Sequence, residues 1–320
     1  ADVVNGGDGD DVLTGGDGAD VIDGNRGDDD IDGGAGDDTI TGGAGDDTIE
    51  GGDGLDTVIF AGNKDDFTFA VAADGTLTIT DTGTGNTLGV DTVSGVETLS
   101  FDDGTLTVTT TSDGDVTLTG TNSDDDVITL TGTGGANLDG VDGDDVLSGG
   151  AGADVIDGNR GDDDIDGGAG DDTITGSDGA DRIDGNLGDD DIDGGKGNDT
   201  LIGSQGNDTL RGSDGDDTFI SGATGGEGDD DIYGGAGIDL ADYSDVSADL
   251  DINLTAGTAS SSDTGTDTIS GVENLDAGSG NDTITGDDQS NVLSGGLGND
   301  TIQGAAGTDT IDGGAGNDTL

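Results

Sequence analysis

Residues 6–59 read GGDGDDVLT (6–14), GGDGADVID (15–23), GNRGDDDID (24–32), GGAGDDTIT (33–41), GGAGDDTIE (42–50) and GGDGLDTVI (51–59), six units of nine residues whose frame never slips. The same frame returns over 140–242, about eleven units interrupted once by the four residues 221–224, and again over 277–320, five units ending in GGAGNDTL. The 25-residue stretch GADVIDGNRGDDDIDGGAGDDTITG begins at Gly18 and recurs at Gly152, a trace of duplication. The consensus is GGxGxDxUx, with U a large aliphatic. A short fixed period of this kind marks a solenoid, in which each unit buries its apolar side chain only by stacking on its neighbours.

Nine residues of this composition divide into a turn and a strand. Glycines at positions one, two and four allow positive φ and close backbone approach. The remaining xUx is a three-residue strand with its middle side chain turned inward. Ile22, Ile31, Ile40 and Ile49 are such plugs in the first block, as are Ile156, Ile165, Ile174, Ile183 and Ile192 in the second. Two nonapeptides make one coil, with strands alternating between two parallel sheets and the charge held at the turns. One buried aliphatic per unit does not offset the ordering of nine backbones, and stacked coils align rows of aspartates that repel. A divalent cation between successive turns reverses both effects. Ca²⁺ suits the role, because it takes six to eight oxygen ligands at flexible angles, whereas Mg²⁺ demands strict octahedral geometry and sheds water reluctantly. Folding and metal binding are then expected to be one event.

Composition supports a cation requirement and removes other functions. The chain has 75 acidic residues against 6 basic ones, 71 glycines, a formal charge of −69, and no proline, cysteine, histidine, methionine or tryptophan. Without counter-ions such a polyanion belongs with disordered chains. Nucleic acid is not an expected partner, since phosphate binding needs clustered Lys and Arg. The absent cysteines remove disulfides and thiolate chemistry, and the absent histidines remove the Ser-His-Asp triad and the HExxH zinc site. No GxSxG serine elbow is present, so no enzyme activity is expected. No apolar run approaches the ~20 residues of a membrane helix, and no basic, hydrophobic export signal opens the sequence; no membrane insertion is expected.

Two connectors of different character separate the blocks, giving five segments: 1–59, 60–139, 140–242, 243–276 and 277–320. The connectors resemble each other. GLDTVIFAGNKDDFTFAV (54–71) and GIDLADYSDVSADLDINL (237–254) lead out of blocks one and two, and DTVSGVETLSFDDG (91–104) and DTISGVENLDAGSG (267–280) close the connectors. Alternation at Phe67, Phe69 and Val71, turn chemistry at Asp74 and Gly75, and alternation again at Leu77 and Ile79 predict a β-hairpin. Phe60, Phe67, Phe69 and Phe101 predict a small packed cap. A Thr-rich alternating stretch follows over 105–126, with a degenerate repeat at 120–128. No helix with an apolar face is visible, and the fold class is all-β.

The nonapeptide resembles the RTX (repeats-in-toxin, hemolysin-type) calcium-binding repeat of bacterial proteins exported by type I secretion, over roughly 200 of the 320 residues. The resemblance implies a right-handed parallel β-roll whose blocks are separated by β-hairpin connectors. It also implies that the first six residues of each unit form a Ca²⁺-binding turn and that the sixth-position aspartate supplies the side-chain ligand. Those residues are Asp11, Asp20, Asp29, Asp38, Asp47 and Asp56 in the first block. In the second they are Asp145, Asp154, Asp163, Asp172, Asp181, Asp190, Asp199, Asp208, Asp217, Asp230 and Asp239, and in the third Asp282, Asp300, Asp309 and Asp318. On the order of one Ca²⁺ per repeat is implied. Asn291 takes the sixth position of GDDQSNVLS, where a weakened or absent site is expected. Asn25, Asn159 and Asn186 replace the second glycine, which is tolerable because Asn reaches left-handed conformations.

Other residues read more plainly. Fifth-position acids such as Asp10, Asp28 and Asp37 serve either as electrostatic support or as simple surface. Arg26 and Arg160 read as local charge clamps, and Tyr233 and Tyr243 as packing at the end of block two. The resemblance to structural surface-layer and adhesin members implies a secreted, extracellular protein at the bacterial cell surface. Its body would be its function, as a homo-oligomer or self-assembled lattice or filament, with cell-surface polysaccharide as a contact. The alternative is the C-terminal repeat and secretion module of a larger toxin or hydrolase; the first residue is not Met and the last unit stops in mid-pattern, as in a fragment. Ice binding would need an outward Thr/Asn ladder at fixed turn positions and is disfavoured. A polyanion that cannot fold at low cytosolic Ca²⁺ stays export-competent, and sites of roughly 0.1–1 mM affinity would fill outside.

Overall fold

The computed structural model describes residues 1–72, 76–83, 88–110, 116–121, 126–221 and 228–320. These residues are all-β apart from one 3-10 turn, Lys64–Asp66. The architecture is a parallel β-solenoid, and the chain divides into two compact units, Ala1–Val155 and Ile156–Leu320.

In the first unit successive nonapeptide strands alternate between two sheets. Val3–Asp8, Val21–Arg26, Thr39–Ala44 and Thr57–Ile59 pair in parallel in one, and Val12–Asp17, Asp30–Ala35 and Thr48–Asp53 in the other. Paired residues lie eighteen positions apart, as in Ile22 opposite Ile40 and Ile31 opposite Ile49. Eighteen is two units of nine, so the register is the repeat arithmetic made physical. It stacks Ile22, Ile31, Ile40 and Ile49, each no more than 1% exposed, in a file between the sheets. In-register burial of β-branched side chains from both sheets is what stabilises such short strands.

The first connector extends both sheets. Phe67–Val71 and Leu77–Asp81 form the expected antiparallel pair, with Phe69 opposite Ile79 and Val71 opposite Leu77; the turn expected at Asp74 and Gly75 lies outside the described residues. Val90–Ser94 then pairs antiparallel to Leu77–Asp81 and parallel to Thr48–Asp53, and Thr98–Phe101 pairs parallel to Thr57–Ile59. The cap is aromatic. Phe60 lies 5.4 Å from Phe67 and 5.6 Å from Phe101 between ring centroids, and Phe69 meets Phe101 edge-on at 6.2 Å. Gly104–Thr110 and Val116–Thr119 pair antiparallel, after which Asn137–Asp139 and Val146–Ser148 resume parallel pairing.

The second unit repeats the pattern. Asp164–Ala169, Arg182–Leu187, Thr200–Ile202, Thr218–Ile220 and Leu240–Asp242 run in one sheet, opposite Thr173–Asp178, Asp191–Lys196, Thr209–Asp214 and Asp231–Ala236 in the other. Where the frame is interrupted the spacing changes from eighteen to twenty-two, so Leu210 still faces Ile232 and the inserted residues leave the core register intact. Asp251–Asn253, Thr258–Ser261 and Gly265–Ser270 form an antiparallel meander, and Gly265–Ser270 rejoins the roll parallel to Asp231–Ala236. Parallel pairing continues through Thr283–Thr285, Val292–Ser294 and Thr310–Asp312.

Candidate metal centre

The sixth-position aspartates form a ladder. The backbone N–H of each donates to Oδ1 of the corresponding aspartate one coil on: Asp11 to Asp29 at 2.8 Å, Asp20 to Asp38 at 2.7 Å, Asp29 to Asp47 and Asp38 to Asp56 at 2.8 Å. In the second unit the rungs run from Asp163 to Asp181, Asp172 to Asp190, Asp181 to Asp199, Asp190 to Asp208, Asp199 to Asp217, Asp208 to Asp230, and Asp217 to Asp239, all at 2.8 or 2.9 Å. One carboxylate oxygen is thereby fixed, and the direction of the other follows.

That other oxygen is the candidate ligand atom. Oδ2 of Asp11, Asp20, Asp29, Asp38, Asp47, Asp56, Asp181, Asp190, Asp199, Asp208, Asp217, Asp239, Asp282 and Asp300 is buried with no hydrogen-bond partner. A buried, unpartnered carboxylate oxygen is costly, and its repetition coil after coil shows a built feature. The parallel register skips the first glycine of each unit, so Gly15 and Gly33 do not pair although Thr14 faces Asp32 and Gly16 faces Gly34. A Cβ placed on Gly15 would come within 2.5 Å of the Gly33 carbonyl oxygen and 2.8 Å of Oδ2 of Asp20; on Gly24, within 2.5 Å of the Gly42 carbonyl and 2.3 Å of Oδ2 of Asp29. A glycine at position one therefore leaves open a small cradle bordered by a carboxylate and a backbone carbonyl from the next coil. Among the described residues no three Asp, Glu, His or Cys side chains converge; each cradle sets one unpartnered carboxylate oxygen against a main-chain carbonyl, with the hydrogen-bonded carboxylate of the next coil beside it. An all-oxygen donor set of this kind fits Ca²⁺, which would neutralise the carboxylate and tie neighbouring coils together.

Electrostatics agree with that fit. Burial, with further contributions from neighbouring carboxylates, pushes Asp181 and Asp190 up to about 7 and Asp199, Asp208 and Asp282 up to about 6, against the partial opposition of their backbone N–H bonds. Asp47, Asp56, Asp217 and Asp239 are raised for the same leading reason.

The remaining sequence candidates occupy the same ladder position with individual differences. Oδ1 of Asp145 accepts from Asp126 N–H at 2.8 Å and Oδ1 of Asp154 from Ala136 N–H at 2.7 Å. Asp163 and Asp172 are buried ladder donors, and Asp230 is 7% exposed. Asp309 and Asp318 accept from Asn291 and Asp300 at 3.1 and 3.0 Å but are half-buried. At Asn291 the amide nitrogen takes the ladder position, donating to the carbonyl of Glu273 at 2.8 Å and to Oδ1 of Asp287 at 3.2 Å, while its uncharged Oδ1 stands in the cradle beside Gly286 and already accepts from Asp287 N–H at 3.1 Å. Asn25, Asn159 and Asn186 have φ of 77°, 71° and 67°, the left-handed conformation their position requires.

Several features were not read from the sequence. Fifth-position side chains form a second, exposed ladder of opposite polarity: Oδ1 of Asp10 accepts from Asp28 N–H at 3.1 Å, Asp28 from Asp46 at 2.9 Å and Asp37 from Leu55 at 3.1 Å. Arg26, which the sequence does suggest as a local charge clamp, meets Asp8 at 3.6 Å with both side chains exposed. Tyr243 is fully buried and its hydroxyl donates to Oδ2 of Asp267 at 3.2 Å, a polar role beyond packing. Asp91 and Asp267 in the connectors enter the ladder, accepting from Asp47 at 2.9 Å and Asp230 at 3.3 Å. The signal was the DT(V/I)S shared by both connectors, which matches positions six to nine of the repeat.

Stacked oxygen cradles on a parallel two-sheet coil define a calcium-binding β-roll. The model of the RTX calcium-binding nonapeptide repeat (4 copies) matches residues 1–31, 23–58, 139–174, 166–201, 193–223, 224–241, 262–302 and 285–320, more than half of the sequence, and the chain belongs to that family. Among solved structures, the crystal structure of extracellular lipase LipA from Serratia marcescens is similar at 22% identity and a TM-score of 0.18, covering 65% of this chain and 32% of the lipase chain. The chain thus spans about a third of the length of that lipase. No curated protein matches it.

Proposed function

We propose that this calcium-binding repeat protein is secreted, folds only when Ca²⁺ fills the sixth-position cradles, on the order of one ion per repeat, and serves as a structural element of the bacterial cell surface or extracellular matrix. The ligands are the sixth-position aspartates, from Asp11 to Asp56, Asp145 to Asp239 and Asp282 to Asp318, joined within the stacked coils by main-chain carbonyls of the neighbouring coil, as Asp20 is by Gly33 and Asp29 by Gly42. The observation that carries the reading is the file of buried, unpartnered Oδ2 atoms. With a formal charge of −69, a metal-free coil repels itself along every turn, whereas extracellular Ca²⁺ both neutralises and crosslinks it. The structural role is supported by the connectors, whose strands continue the roll sheets within each unit.

The test is a calcium titration of the purified chain, followed by far-UV circular dichroism and light scattering, with magnesium as control. A cooperative, calcium-specific gain of β structure together with ordered particles supports a self-assembling surface or matrix protein. The same transition in a persistent monomer favours a repeat module of a larger secreted toxin or hydrolase. Compact, protease-resistant protein in chelator near pH 8, where the buried carboxylates are ionised, would sink the calcium reading.

A further inference from the structure

The last nonapeptide before each connector has no following nonapeptide to complete its cradle, yet its sixth aspartate is built like the others. Oδ2 of Asp56 and of Asp239 is buried with no hydrogen-bond partner, and both residues are fully buried. Their backbone N–H groups donate not to an aspartate but to a glutamate: Asp56 to Oε2 of Glu97 at 2.8 Å, and Asp239 to Oε2 of Glu273 at 3.1 Å. A Cβ placed on Gly51 would lie 2.0 Å from the Gly95 carbonyl and 2.8 Å from Oδ2 of Asp56. On Gly234 it would lie 2.0 Å from the Gly271 carbonyl and 2.5 Å from Oδ2 of Asp239. Inside the roll the same three parts are Oδ2 of Asp29, the Gly42 carbonyl and the carboxylate of Asp47.

The connector segments Gly95-Val96-Glu97 and Gly271-Val272-Glu273 are thus shortened turns. In a nonapeptide four residues separate the first glycine from the sixth acid; here one does, and the extra methylene of Glu returns the carboxylate to the ladder position. Gly95 and Gly271 have φ of 59° and 72°, a left-handed bend that brings the chain round in so few residues. Val96 and Val272 are 5% and 3% exposed and fill the core where the turn has been cut. The Gly95 carbonyl also accepts from Gly52 N–H at 3.1 Å, leaving its second lone pair, and Oε1 of Glu273 accepts from Gln289 at 3.3 Å.

We infer that each connector contributes a divalent-cation site outside the nonapeptides, formed by Asp56, the Gly95 carbonyl and Glu97 in the first unit and by Asp239, the Gly271 carbonyl and Glu273 in the second. The inference rests on the calcium reading of the sixth-position aspartates. It makes the Ser-Gly-Val-Glu turn a ligand-bearing turn that completes the last cradle where the connector returns to the roll.

The experiment is native mass spectrometry of the full chain at saturating calcium, comparing wild type with Glu97→Gln, Glu273→Gln and the double variant. Glutamine keeps an oxygen to accept the Asp56 or Asp239 N–H, so a purely structural glutamate predicts an unchanged ion count. The expected result is the loss of one bound calcium per substitution and two in the double variant. An unchanged count in variants of a calcium-loaded chain overturns the inference alone, whereas a wild type that binds no calcium overturns the reading beneath it. If a variant does not fold, anomalous diffraction from wild-type crystals grown in calcium decides: a calcium peak touching the Glu97 carboxylate supports the site, and no peak there rejects it.

Discussion

The Lys64 ammonium is closed on the Asp126 carboxylate, with the lysine side chain 4% and the aspartate 0% exposed. Asp126 stands in the ladder, donating its N–H to Asp145, but its turn carries one extra residue, and Oδ2 accepts from Thr121 N–H at 2.6 Å. A protein cation neutralises this carboxylate, whereas Oδ2 of rungs such as Asp29 and Asp47 has no partner. Removing one member of a buried pair leaves an uncompensated charge and costs about 3–5 kcal/mol. Lys64→Met is therefore expected to lower stability by that amount in urea unfolding at saturating calcium. Adding Asp126→Asn should restore part of the loss, because the amide needs no counter-charge; additive losses would show that the pair is not coupled.

Asn291 supplies the converse case. Its amide donates to the Glu273 carbonyl and to Asp287, so Asn291→Asp replaces a donor with an oxygen facing oxygens. At calcium just sufficient to fold the wild type the variant should be less stable by about 1–3 kcal/mol. At saturating calcium it should recover and bind one additional ion by equilibrium dialysis. A variant that is destabilised equally in both conditions would show that the turn cannot accept a metal.

The inward file should respond as a close-packed core. Ile31 is 1% exposed and faces Leu13 and Ile49 across its sheet, so Ile31→Ala is expected to cost about 2–5 kcal/mol in calcium-saturated urea unfolding. Val21, on the outward side of its strand and 50% exposed, should tolerate Val21→Thr within about 0.5 kcal/mol.

The solenoid was legible because a period of nine fixes an i to i+18 register. The sixth-position aspartates were singled out through the resemblance to the calcium-binding nonapeptide, and the structure sets them beside the first-position glycines. What was not legible is where that spacing is broken while the three-dimensional position is kept. Glu97 sits two residues after its glycine rather than five, and only its longer side chain brings it to the ladder, so no frame search reaches it. Asp126 is displaced by a single residue, and its partner Lys64 is 62 positions away; folding of the connector makes that contact, which local pattern does not predict. The fifth-position acids escaped for another reason: their hydrogen bonds run to backbone, and composition does not distinguish a ladder from a solvated surface.

Proton and calcium should compete for the same oxygens, and the sign of the pH effect follows from the direction of the carboxyl shifts. Burial raises Asp181 and Asp190 to about 7 and Asp199, Asp208 and Asp282 to about 6, against an unfolded value of about 3.9. A raised folded-state pKa means that the metal-free fold holds protons the unfolded chain has released. Its stabilising contribution is complete below about pH 4 and is lost as pH climbs through 6 to 7. In chelator the chain should therefore show more β structure by circular dichroism near pH 4 than near pH 8, protonation standing in for the cation. With calcium present the order reverses in affinity, because below about pH 6 each ion must displace a proton, and the calcium midpoint should move to higher concentration. A metal-free chain equally unstructured at both pH values, or a calcium midpoint that does not move, would show that the buried carboxylates are not what opposes folding.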